Sequence, residues 1–375
     1  MICPKEFLNE VKKNTSLMTG VPDSALKGLS DYLEHQEIIE HVKVPSEGIS
    51  ISYSAGYYMA TKKPGLIYLQ NSGFGNLINP LTSLVDNLVY SIPCVILVGW
   101  RGYKGTKDEP QHKKMGLVTQ KLVDAMGYDS FELNSNSDWK KCLNDSFELA
   151  ISSKSPVFLL VEPKLFKEIN VESKSDNNFE PRELVLSKLY SNLEDHTIVS
   201  TTGKSSRELY EINSNVKDDI FYSVGSMGHA STISLSLSKY LKNKVTCIDG
   251  DGAFLMHMGF VSMIKDHQAE NFNHIVINNG LHESVGNQET LYKNIDIVKI
   301  AEASGYKNTV SFDCEKGSLD KVINLVKVIL NKTGPNLIEL NVGVKTRPEL
   351  SRPKETPKEN LTKLMNKIKY EKSLS

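Results

Sequence analysis

The chain has 375 residues, 39% of them hydrophobic, which is enough for two domains each with its own core. A formal net charge of −1, with basic residues spread along the chain, gives no general attraction to nucleic acid or anionic membrane, and no apolar run approaches a membrane span of about 20 residues. The start Met-Ile-Cys-Pro-Lys-Glu has no basic segment leading into an apolar one, and Cys3, Cys94, Cys142, Cys247 and Cys314 lack metal-ligand spacing, so reduced thiols in a cytoplasmic protein are expected.

In chain order, Asp23 is expected to cap a helix from Ser24 to about His35. Strand-like runs follow at 38–44, Leu66-Ile-Tyr-Leu69, Cys94-Val-Ile-Leu-Val98 and Val157-Phe-Leu-Leu-Val161. Pro45-Ser46-Glu47-Gly48 closes the first run, and an apolar helical stretch extends from there through Met59. Amphipathic stretches near 81–90, 115–126 and 138–153 can serve as crossovers, so the alternation predicts a parallel sheet with helices on both faces. The chain turns polar from Lys164 to Arg182, least structured at 172–178, which makes 166–182 an expected linker between domains at 1–165 and 183–375.

The second half repeats the pattern. A helix near 183–193 leads to the strand Thr197-Ile-Val-Ser200, a turn at Thr201-Thr-Gly-Lys204 and another helix. Further strands are expected at 219–224, 244–248, 274–278, 309–312 and 336–341, with 253–270 reading as one helix and its flanking turns. The expected fold class is therefore α/β, with two doubly wound parallel-sheet domains.

Two strings at strand ends carry the chemistry. Gly250-Asp251-Gly252 closes 244–248, and Asn278-Asn279 closes the next strand. With one crossover between them the strands can lie parallel and adjacent, which puts a carboxylate and an amide oxygen at one rim of a sheet. Such oxygen ligands suit Mg²⁺ holding a diphosphate, and the two glycines allow backbone N–H groups close to phosphate oxygens.

That spacing, together with Glu47 at a strand end far upstream and Gly225-Ser226-Met227-Gly228, resembles the pattern of thiamine diphosphate (ThDP) enzymes. The short linker makes the chain similar to two-domain 2-keto-acid decarboxylases of that family, without a middle domain. The resemblance implies a pyrimidine-binding domain at 1–165, a diphosphate-binding domain at 183–375, and ThDP and Mg²⁺ as cofactors. It places the Glu47 carboxyl on the cofactor's pyrimidine, where it favours the imino tautomer of the exocyclic amine. It makes Asp251, Asn279 and the Leu281 carbonyl the metal ligands, with Asn278 as a structural partner. It gives diphosphate contacts to Gly252, Ala253, Thr202 and Gly203, a wedge beneath the cofactor to Met227, and a carbonyl for the cofactor's amine to Gly225. It also implies a homo-oligomer of at least two chains, with the active site shared between subunits.

Two loops are expected to face the substrate. The stretch from Gln70 to Asn76 offers Asn71, Ser72 and Gly73 to an anion; its Gly-x-Gly lacks a third glycine and an acidic ribose contact, which argues against a nicotinamide site. The stretch from Gly99 to His112 contains Arg101 and Lys107, and His112 falls where relatives carry a histidine pair, with Lys113 as the second member here. His112 and His282, which follows the metal ligands, are the candidate catalytic histidines. The segments 20–24, 70–73, 107–112, 201–208, 225–230 and 347–360 narrow the resemblance to members whose 2-keto acid bears a phosphonate, or in the alternative a sulfonate; Glu283 and Asn287 depart from it. Such a group calls for positive charge or convergent N–H donors, for which Lys204, Arg207, Arg101 and Lys107 are the candidates.

Overall fold

The computed structural model describes residues 1–169, 178–213, 220–344, 347, 349–351 and 353–368; most of the expected linker's least structured part, and parts of the 219–224 strand and the 347–360 tail, lie outside them. The chain divides into two compact units, Met1–Glu172 with His282–Glu289, and Ser173–Leu281 with Thr290–Ser375.

The first unit runs α1 (Pro4–Asn14), β1 (Leu17–Gly20), α2 (Lys27–Leu33), β2 (Glu40–Lys43), α3 (Glu47–Thr61), β3 (Gly65–Gln70), α4 (Phe74–Pro80), β4 (Cys94–Gly99), α5 (Pro110–Ala125), β5 (Asp129–Leu133), α6 (Trp139–Ser153) and β6 (Pro156–Val161). Its strands form one six-stranded sheet in the order β2-β1-β3-β4-β6-β5, with every pairing parallel. The continuous apolar runs of β3, β4 and β6 follow from burial on both faces. Leu66, Tyr68, Val95, Leu97, Val157 and Leu159 enter one core with Phe7 and Phe147, while Ile67, Leu69, Ile96, Val98, Phe158 and Leu160 enter another with Phe74 and Val123.

Several boundaries differ from the sequence expectation. Asp23 does not cap α2; its Oδ1 accepts the Ala25 N–H at 2.8 Å in a tight turn, and the helix begins at Lys27. α4 starts at Phe74 and passes into a wide turn over Leu81–Val85, so the crossover begins upstream of 81–90 and covers only the first half of that stretch. α5 begins at Pro110, which puts His112 on a helix rather than in a loop. The strands β1 and β5 were not expected: the first is only four residues long, and the second, Asp-Ser-Phe-Glu-Leu, is a partly exposed edge strand without an apolar run.

The second unit continues with α7 (Arg182–Tyr190), β7 (Thr197–Ser200), α8 (Lys204–Ile212), β8 (Ile220–Tyr222), α9 (Ala230–Tyr240), β9 (Val245–Gly250), α10 (Asp251–Met256), α11 (Ile264–His267) and β10 (Phe272–Asn278). A short ribbon, β11 (Leu281–His282) with β12 (Gln288–Glu289), comes next in the chain, then α12 (Ile297–Ser304), β13 (Asn308–Asp313), α13 (Leu319–Leu330), β14 (Asn336–Asn341) and α14 (Pro357–Lys367). Its sheet is again six-stranded and parallel, in the order β13-β14-β10-β9-β7-β8. The helix expected at 253–270 is broken: the backbone leaves helical geometry at His257 (φ −129°), and a 3₁₀ stretch over Met258–Met263 separates α10 from α11.

Three strands of this sheet carry amides in register. Asn273, Asn336 and Asn308 stand side by side near the N-terminal ends of β10, β14 and β13, linked by Asn336 Nδ2 to Asn273 Oδ1 (2.8 Å) and Asn308 Nδ2 to Asn336 Oδ1 (2.8 Å). At the other end Asn278 Nδ2 donates to Asn341 Oδ1 at 2.8 Å, and Asn341 Nδ2 donates to Asp313 Oδ1 at 2.8 Å.

Candidate active site

In the second unit β9 and β10 are parallel neighbours with Gly250 opposite Ile277. Asp251, the first residue of α10, and Asn278-Asn279 therefore stand at one rim of the sheet, where ligands of open α/β sheets bind. Asp251 is buried, and burial pushes its carboxyl up to about 6 against the hydrogen bonds it accepts from Thr290 and the Gly252 backbone. No cation pairs with it among the described residues. Asn278 is spent on the sheet: besides Asn341 it donates to Glu339 Oε1 at 3.0 Å, and its oxygen accepts the Gly280 N–H at 3.0 Å. Asn279 Oδ1 accepts the Leu281 N–H at 3.0 Å and keeps a second lone pair, while its Nδ2 is buried without a partner. A buried carboxylate without a cation partner, with an amide oxygen and a backbone carbonyl at the same rim, is a hard-oxygen donor set that fits Mg²⁺.

The other predicted cofactor residues of this unit lie at the same rim. Thr202 Oγ1 donates to the Val224 carbonyl at 3.2 Å, which ties the end of β7 to the segment after β8. Gly203 precedes α8 without any side chain capping the helix, and Gly252 and Ala253 are in the first turn of α10. The Gly225–Gly228 segment, with Met227 half-buried, lies against that turn: a Cβ on Gly228 (φ +84°) would stand 2.8 Å from the Ala253 carbonyl oxygen. Lys204 opens α8. Arg207, one turn on, is half-buried; burial lowers its guanidinium, and no carboxylate pairs with it among the described residues.

In the first unit Glu47 is buried as the opening residue of α3. Burial raises its carboxyl, opposed by Asn76, whose Nδ2 donates to Glu47 Oε2 at 2.7 Å. The carboxyl also rests on the Gly73 backbone, since a Cβ at that position would stand 2.0 Å from Glu47 Oε1. Gly73 thus packs its Cα directly against an acid, with no room there for a side chain. Asn71 is likewise committed: Nδ2 donates to the Arg101 carbonyl (2.9 Å) and Thr119 Oγ1 (3.0 Å), and Oδ1 accepts the Arg101 N–H (3.1 Å). Ser72 is exposed and donates to Gln70 Oε1 at 2.8 Å.

The Arg101 guanidinium forks onto Asp108 (2.9 and 2.5 Å) and reaches Ser24 Oγ at 2.8 Å, so its charge is already matched. Lys107 is exposed. His112 is buried, and burial with the neighbouring Arg101 charge brings its imidazole down to about 4; its Nδ1 has no partner. His282 is brought down to about 4 by burial and by Lys43. Both histidines are therefore neutral near pH 7.

Sequence reasoning missed several contacts. Asp23 is fully buried, with Oδ1 accepting Gln70 Nε2 at 2.7 Å and Oδ2 unpartnered, and burial pushes it up to about 6. Its Pro-Asp-Ser context signals only a cap. Asp249 Oδ1 accepts the Gly250 N–H at 2.9 Å while Oδ2 faces His274 Nε2 at 3.3 Å, and His274 Nδ1 lies 3.1 Å from the Tyr306 hydroxyl. Cys247, Asp249 and His274 form a fully buried group whose potential ligand atoms lie within 4.8 Å of one another. Asn76 and Thr290 contact predicted site carboxylates from positions 29 and 39 residues away, which no local pattern reveals.

Comparison with known proteins bears on both units. A family model of the thiamine pyrophosphate enzyme N-terminal TPP binding domain matches residues 8–125, and the C-terminal TPP binding domain matches 201–340. The phosphonopyruvate decarboxylase of Streptomyces viridochromogenes is 33% identical over 364 residues, covering 91% of this chain and 88% of the relative. That of Streptomyces hygroscopicus is 32% identical over 363 residues, with 91% and 88% covered. The sulfopyruvate decarboxylase of Methanosarcina acetivorans is 26% identical over 374 residues, covering 90% and 94%. Two TPP-binding domains and matches spanning nearly the whole of both partners place this chain in the thiamine pyrophosphate enzymes, as a decarboxylase of the phosphonopyruvate or sulfopyruvate type.

Proposed function

We propose that the chain decarboxylates 3-phosphonopyruvate to phosphonoacetaldehyde and CO₂, with ThDP held through Mg²⁺, as a step toward 2-aminoethylphosphonate. The observation that carries the choice of substrate is the 33% and 32% identity to two phosphonopyruvate decarboxylases, against 26% to the sulfopyruvate enzyme over a similar span.

When bound, ThDP supplies a carbon nucleophile and an electron sink for the loss of CO₂. Asp251, Asn279 and the Leu281 carbonyl hold the metal, while Thr202, Gly203, Gly252 and Ala253 contact the diphosphate. Glu47 contacts the pyrimidine, Met227 supports the cofactor and the Gly225 carbonyl accepts from its amine. Glu47 is kept out of bulk water and oriented by Asn76. The neutral imidazoles of His112 and His282 can take up and return a proton where the product carbon is protonated. For the second anionic group Arg207 and Lys204 come first, because Asp108 already matches Arg101. The site is shared in a homo-oligomer of at least two chains.

Sulfopyruvate is the alternative substrate; it differs by one negative charge at most. The test is CO₂ release by purified protein with ThDP and Mg²⁺, offering phosphonopyruvate, sulfopyruvate and pyruvate in parallel. Preference for phosphonopyruvate, lost in Asp251→Ala and Glu47→Gln, is the expected result. Preference for sulfopyruvate would overturn the substrate and the pathway, and ThDP binding without any turnover would leave a non-catalytic scaffold.

A further inference from the structure

Thr290 lies 39 residues beyond Asp251 and is buried. Its hydroxyl donates to Asp251 Oδ2 at 2.7 Å, and its backbone N–H donates to the Gly280 carbonyl at 2.9 Å. Gly280 sits between Asn279 and Leu281, so one residue grips both halves of the predicted ligand set. Its own place is fixed from the same side: Tyr292, two residues on, is buried edge-on against Phe254 of α10, with ring centroids 6.3 Å apart and planes at 82°.

We propose that Thr290 is a positioning residue for the metal, holding the Asp251 carboxylate in one rotamer and fixing the Asn279–Leu281 turn beside it. The inference rests on the reading of Asp251, Asn279 and Leu281 as metal ligands. A hydroxyl on one carboxylate oxygen leaves the other free for a cation and removes rotational freedom that binding would otherwise have to freeze. Thr290 supplies Asp251 with its side-chain donor among the described residues; without it the buried Oδ2 would stand unsatisfied and free to turn. The backbone contact does not depend on the side chain, so a substitution separates the two functions.

The test compares full-length wild type, Thr290→Val, Thr290→Ser and Asp251→Ala in Mn²⁺ binding, read by electron paramagnetic resonance with ThDP present, alongside the thermal midpoint of the cofactor-free protein. Valine keeps the shape and the backbone N–H but removes the donor. Thr290→Val is expected to weaken Mn²⁺ binding by about 10- to 100-fold, the range typical of lost outer-shell partners. Thr290→Ser is expected to restore it to within about threefold of wild type, since the hydroxyl is what orients the ligand. Wild-type affinity in Thr290→Val would overturn the inference. Equal losses in Val and Ser would overturn it as well, by assigning the effect to the methyl group's packing. Wild-type affinity in Asp251→Ala would instead remove the ligand reading itself, and the inference with it.

Discussion

Glu47 is an acid whose surroundings push its proton affinity in opposite directions. Burial at the start of α3 raises it, and the hydrogen bond from Asn76 lowers it, with no charged side chain contributing. Replacing Asn76 by Leu removes the donor that favours the ionised form, so the Glu47 carboxyl should titrate at higher pH than in wild type. Infrared difference spectra of the cofactor-free protein, with Glu47→Gln as the blank, would show it; an unchanged midpoint would mean that the 2.7 Å contact does not tune this acid. Gly73 belongs to the same arrangement. In sequence it reads as a glycine that lets an anion approach, because Gly-x-Gly in a loop says only that something approaches closely. What approaches is a side chain from another element, and that information exists only once α3 is packed beside the turn.

Whole elements were legible where burial wrote a continuous apolar run. β3, β4, β6, β9, β10 and β14 lie within a few residues of their expected positions for that reason. The strand ends with Glu47, Asp251 and Asn279 were legible too, since polar residues that close an apolar run stand out. Elements with weak local signals were not: β5 is a half-polar edge, and the 253–270 stretch is apolar enough for a helix yet breaks at His257. That break lies beside Gly228, where a Cβ would meet the His257 ring at 2.8 Å as well as the Ala253 carbonyl. Gly228→Ala therefore combines a left-handed φ with a collision against the first turn of α10. A loss of about 1–3 kcal/mol in urea unfolding is expected, together with weaker ThDP binding in calorimetry. A stable variant with wild-type ThDP affinity would show that the 225–228 segment has room to move away.

At the scale of the molecule, the hydrophobic clusters divide cleanly along the chain. Two draw only on residues between Ile2 and Phe166, and two only on residues between Val185 and Val342. Neither sheet borrows a strand from the other half. A fragment covering 178–375 thus keeps a whole sheet and both of its cores, and its length exceeds the roughly 150 residues at which a domain buries ample surface. It is expected to unfold in one cooperative transition by circular dichroism; a gradual, non-cooperative loss of signal would show that this half needs the other to fold. No helix among the described residues is long and apolar enough to cross a membrane.

The amide pairs at both ends of β10, β14 and β13 have a consequence beyond the strength of their bonds. A sheet covered on both faces has little intrinsic sense of register, because a strand displaced by one residue still presents apolar side chains to apolar surroundings. Stability alone would tolerate that error. Here the displacement would pull Asn336 from Asn273 and Asn341 from Asn278 at once, stranding amides within the sheet. It would also carry Asn278 and Asn279 about 3.3 Å along β9, away from Asp251. The result would be a well-packed molecule whose Asp251 and Asn279 oxygens no longer share one rim. The amides act as proofreading marks: they make a misaligned strand expensive where the core would have accepted it.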